Sequence, residues 1–88
     1  MNEYQHIAKL TDEEMRKKKP HRELSERRMM VWYMCYANRI RVSNLCREYG
    51  FSRNTIEYAI KRCSDLYETD KEFKETFDRI FLVKPNNE

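Results

Sequence analysis

Glycine is almost missing from this sequence: one in 88 residues, with only two prolines. Hairpin turns and glycine-rich phosphate loops need more of both, so strands and a nucleotide-binding loop of the G-x-x-x-x-G-K-[ST] kind are excluded at the outset. Long apolar runs are also missing. The longest, around Met29–Ala37, is far too short to cross a bilayer, and Met1–Lys9 is polar with mixed charge, so no secretory leader is read there. Cysteine is sparse: Cys35, Cys46 and Cys63 stand apart with no C-x-x-C spacing, which argues against a disulfide framework and a zinc site. His6 and His21 lack ligand spacing, so no metal or cofactor is anticipated. No Ser/His/Asp or Cys/His arrangement is visible, and the paired acids Glu13-Glu14 and Asp70/Glu72 sit where helix starts explain them; the chain reads as a non-enzyme.

What remains is charge and bulk. Charged residues make up 38% and aromatics 12%, with five methionines, enough for one small all-α bundle of four to five helices. The net charge of +3 is unevenly distributed. From Arg16 to Arg62 there are thirteen Lys/Arg against four acids, whereas Ser64 to Glu88 carries four against seven. A basic body with an acidic end fits a polyanion partner that avoids the last helix.

Along the chain, Thr11-Asp12-Glu13-Glu14 has the form of a capping box and predicts a short helix reaching Lys19, closed by Pro20. Residues 1–20 thus form an N-terminal arm, whose run Lys17, Lys18 and Lys19 can meet phosphates. A long helix is predicted over Arg22–Asn38, with Leu24, Val31, Met34 and Cys35 on one arc and Trp32 in the core. Arg27 and Arg28 interrupt that arc and must snorkel or reach a partner. Tyr33 and Tyr36 point away from it. A third helix, Ser43–Tyr49, stops at Gly50, because glycine takes positive φ without a Cβ penalty. Ser52 caps a fourth helix over 52–63, whose inner face is Ile56, Ala59, Ile60 and Cys63. Thr69-Asp70-Lys71-Glu72 predicts a second capping box, opening a helix with Phe73, Phe77 and Ile80 inward. Residues 83–88 read as a disordered tail.

A helix of about seven residues, a turn with glycine and a longer helix define a helix-turn-helix, here motif 43–63 inside a DNA-binding domain over 21–82. Cys46 allows close helix crossing, Phe51 plugs the corner, and the helix from Ser52 is positioned to enter the major groove of double-stranded DNA. Asn54 can pair bidentately with adenine; Arg53 and Lys61 can reach guanine or phosphate. Thr55 and Tyr58 complete the base-facing set, and Arg39, Arg41 and Ser52 join the phosphate contacts.

At this point the run from Arg22 to about Leu66 resembles the C-terminal DNA-binding domain of the bacterial replication initiator DnaA, in the Trp-repressor-like helix-turn-helix class. Arg22, Arg28, Met30 and Met34 sit at the spacing of its basic helix. Tyr49-Gly50 matches a Phe-Gly, and Thr55-Ile56-Glu57-Tyr58-Ala59 matches T-V-x-H-A. The resemblance implies that Thr55 contacts base or phosphate and that Arg28 contacts backbone or minor groove. The family's base-reading G-R-D-H-T segment is replaced by Phe51-Ser52-Arg53-Asn54 and is one residue shorter, so those contacts are not carried over. The ATPase part is missing, which suits an accessory, phage or mobile-element protein acting in replication initiation or transcription regulation. It would be cytoplasmic and nucleoid-associated, with a homodimer or another replication or regulatory protein as a further partner and no membrane. The alternative is a helical protein-interaction or dimerisation module built on the exposed tyrosines and the acidic last helix.

Overall fold

The computed structural model describes residues 3–82. Six α-helices follow one another: α1 Glu3–Ile7, α2 Asp12–Arg16, α3 Arg22–Ala37, α4 Val42–Tyr49, α5 Arg53–Thr69 and α6 Lys71–Phe77, which runs on into a π-helical turn, Asp78–Leu82. No strand occurs among the described residues, and the all-α bundle is as composition predicts.

The core forms around α3, which packs along α5. One cluster joins Met15, Val31, Trp32, Cys35, Leu45, Tyr49 and Ile56, all essentially inaccessible. A second joins Met30, Cys63, Phe73 and Phe77. Met29, Tyr33, Ile80 and Phe81 border both and knit them together. Full burial of one such aliphatic or aromatic side chain is worth about 1.5–3 kcal/mol, so these few residues dominate the stability of so small a chain.

Residues 3–20 are not a free arm. Ala8, Leu10 and Met15 belong to the first core cluster. Helix α1, which the polar, mixed-charge reading of Met1–Lys9 does not anticipate, carries the fully buried Gln5. Its amide nitrogen donates to the Leu10 carbonyl at 3.1 Å and to Asp12 Oδ1 at 2.8 Å. Its oxygen accepts from the Tyr49 hydroxyl at 2.6 Å. A buried primary amide is tolerated because both its ends are satisfied.

Boundaries shift where capping differs from expectation. The Thr11 capping box forms as read, but α2 stops at Arg16, with Lys17 extended. Helix α4 begins at Val42, whose side chain is buried, rather than at Ser43. Helix α5 continues past residue 63 to Thr69, so the expected box at Thr69 is corrected. Thr69 is helical and its hydroxyl donates back to the Asp65 carbonyl, while Asp70 caps α6 by accepting from the Phe73 N–H at 3.1 Å. The tail reading over 83–88 lies outside the described residues.

Three helices end with a residue in the left-handed region, and only one of these is glycine: Lys9 at φ 60°, Arg39 at φ 71° and Gly50 at φ 77°. After α3, the Arg39 N–H reaches the Tyr36 carbonyl and the Ile40 N–H the Cys35 carbonyl, the paired bonds of a Schellman stop. Lys9 and Leu10 repeat the pattern on His6 and Gln5.

Candidate nucleic-acid interface

The helix-turn-helix expected from the sequence is α4, a turn at Gly50–Ser52, and α5. Val42, Leu45 and Tyr49 bury one face of α4. The Gly50 N–H closes the helix on the Cys46 carbonyl at 2.8 Å. A Cβ placed at Gly50 would meet nothing nearer than Lys18 Nζ at 4.0 Å, so glycine is required there by its φ and not by space. Phe51 turns inward, edge-on to Trp32 with ring centres 5.5 Å apart. Ser52 caps α5: its Oγ accepts from the Thr55 N–H at 3.2 Å and lies 3.0 Å from Thr55 Oγ1. Ile56, Ala59, Ile60 and Cys63 are buried, as the periodicity predicts.

On the other side of α5, Asn54, Tyr58 and Lys61 are all exposed. Their i, i+4, i+7 spacing makes one stripe along the helix. Tyr58 is 69% exposed, unusual for so large an aromatic. Arg53 and Thr55 are exposed on the first turn; Arg53 pairs with Glu57 at 2.9 Å. At such exposure this pair is weak and can be exchanged for a partner.

The basic residues divide into two groups. Some are engaged within the fold. Arg16 donates through Nε and Nη2 to the Glu48 carbonyl at 3.3 and 2.8 Å. Lys18 donates to the Gly50 carbonyl at 2.7 Å. These two cations therefore cap the end of α4, where the helix dipole is negative. Arg28 corrects the reading that placed it on a backbone or minor groove. It is 6% exposed, and its Nη1 donates to the carbonyls of Glu14, Met15 and Lys17 at 3.3, 3.2 and 2.7 Å. Its guanidinium also stacks near Phe51 and Trp32, at 4.9 and 5.2 Å from the ring centres. Burial pushes the guanidinium pKa down. Arg28 closes the end of α2 and is largely buried there.

The second group is open to solvent. Lys17, Lys19, Arg39 and Arg41 are exposed, and none has a side-chain partner among the described residues. Arg41 occupies the N-cap position of α4 without capping it through its side chain. Between the start of α4 and α5 lies a groove of about 310 Å³, walled by Tyr36, Val42, Ile60, Arg53, Glu57 and Lys61. The place of Tyr36 beside α5 was not legible in the sequence. It follows from how α3 crosses α5, for which no local pattern exists. Tyr33, expected to face outward with it, instead lies half-buried against Phe77, ring centres 5.9 Å apart.

Among the described residues, no group of three or more His, Cys, Asp or Glu side chains converges as a metal site, and no helix is long and apolar enough to cross a membrane. No protein-family model matches the chain, and no curated protein or solved structure shows significant similarity to it.

Proposed function

We propose that this protein is a sequence-preferring binder of double-stranded DNA that lays the first turns of α5 in the major groove. The observation that carries this reading is the Asn54–Tyr58–Lys61 stripe: polar, aromatic and basic groups stand exposed on a helix whose opposite face is locked into the core. Hydrogen-bonding side chains at the start of such a helix can read base edges. Lys17, Lys19, Arg39 and Arg41 flank it and supply phosphate contacts. The resemblance to the replication initiator's DNA-binding domain supports the same assignment, with a different target because Phe51–Asn54 departs from that pattern. Fluorescence anisotropy on a random duplex, followed by selection on randomised duplexes, tests the proposal. No binding at low salt would overturn it.

A second reading has its own observation. Tyr36 and Tyr58 are 55% and 69% exposed, and aromatics of this kind are enriched at protein interfaces. In that case the groove beside Tyr36 would seat another protein or a second copy. Solution mass measured over a concentration series, with and without DNA, separates the two.

A further inference from the structure

A second cationic site lies away from α4 and α5. Between the end of α1, the first half of α3 and the end of α6 is a cleft of about 390 Å³ lined by Lys9, Arg27 and Arg79. The Thr76 hydroxyl adds a polar group, Ile7 and Ile80 supply apolar wall, and no carboxylate lines the space. Several other cations of the protein are satisfied within the fold. Arg22, Arg53 and Lys74 pair with acids one turn along their own helices, and Arg16, Lys18 and Arg28 bind carbonyls. Lys9, Arg27 and Arg79 have no side-chain partner among the described residues. Three cations facing one cleft that has no acid in its wall favour a bound anion there. Lys9 also holds its side chain at a left-handed helix stop, φ 60°, where glycine would be easier. Ile7, in the same wall, is 42% exposed.

We propose that this cleft binds a compact oxyanion, a phosphate or carboxylate, carried on a small apolar body. The anion would be held by Arg27 and Arg79 with Lys9 and Thr76, and the apolar body would cover Ile7 and Ile80. An adjoining cleft, which shares Arg27, Thr76 and Arg79, is lined by Glu23, Glu26, Asp70 and Glu72. Those acids repel a second negative group, which limits the ligand to one anionic head.

The test is an amide NMR titration of the full chain with phenyl phosphate, benzoate, inorganic phosphate and neutral benzyl alcohol. The proposal requires saturable shifts at residues 7–9 and 76–80 with phenyl phosphate or benzoate, weaker binding of inorganic phosphate and none of benzyl alcohol. Of the two aromatic anions, the tighter identifies the head group. Arg27→Gln and Arg79→Gln should each weaken binding about tenfold while the remaining spectrum stays folded. Arg53→Gln, on the recognition helix, should leave it unchanged. Absence of localised shifts, equal binding by the Gln variants, or shifts there only with a DNA duplex would overturn the proposal.

Discussion

Lys18 donates its ammonium to the carbonyl of Gly50 at 2.7 Å and stands 4.2 Å from the centre of the Phe51 ring. The middle lysine of a basic run that reads as a phosphate-seeking arm is therefore tied to the turn between α4 and α5. Lys18→Met keeps the aliphatic stem and removes the bond. It should lower stability by about 0.5–1.5 kcal/mol in urea denaturation. An unchanged denaturation midpoint would show that the bond contributes nothing.

Arg28 should be among the costliest positions to change. Arg28→Met strands the carbonyls of Glu14, Met15 and Lys17 and loses the contacts with Trp32 and Phe51. A loss of about 2–4 kcal/mol is expected. Arg28→Lys should recover only part of it, since a point ammonium cannot reproduce a planar fork on several acceptors. Calorimetry of the two variants provides the comparison.

Arg39 lets stability and the proposed phosphate contact be tested together. Its left-handed backbone would suit glycine better, so Arg39→Gly should raise stability by roughly 0.5–1 kcal/mol. If this exposed side chain reaches a phosphate, the same change lowers the slope of log affinity against log salt by ~0.9. A melting curve and a salt titration on one sample measure both effects.

Asn54→Ala should separate reading from holding. The side chain is exposed, so the melting temperature should hardly move. If α5 reads DNA as proposed, discrimination between the selected duplex and random DNA should fall by about 1–3 kcal/mol. Equal discrimination in the variant would remove Asn54 from the base-reading set.

Alkaline pH should destabilise the fold through its buried thiols. Burial pushes Cys35 and Cys63 each up to about 12, and it raises the Tyr49 phenol as well. These groups are neutral when folded and ionise more readily when unfolded. The stability they contribute is complete below the unfolded cysteine pKa, near 8.5, and is lost as pH rises towards 12. Midpoints measured from pH 8 to 11 should fall steadily. At pH 8 the half-buried Cys46 should react with an alkylating agent well before Cys35 and Cys63.

The parts of this fold that local chemistry determines are legible in the sequence. Gly50, Ser52 and the Ile56–Ile60–Cys63 face identify a turn and a helix because φ preference, capping and periodicity act over a few residues. The basic cluster is not legible in the same way. Arg16, Lys18 and Arg28 look like surface charge until the distant backbone carbonyls they satisfy are known. The stop at Arg39 was hidden for a related reason: glycine is the usual signal, and this chain uses arginine. Gln5 gives no hint of burial, since its partners Leu10, Asp12 and Tyr49 come together only when α1 meets α4.

Asp70 gives the C-terminal half its mechanical character. Its N–H closes α5 on the Leu66 carbonyl at 2.8 Å, and its carboxylate opens α6 on the Phe73 N–H at 3.1 Å. One residue thus serves as the last stop of one helix and the first cap of the next, leaving no slack between them. Helix α6 cannot pivot on a loose linker. To swing relative to α5 it must give up one of those two bonds, so the two helices are geared to each other through a single joint.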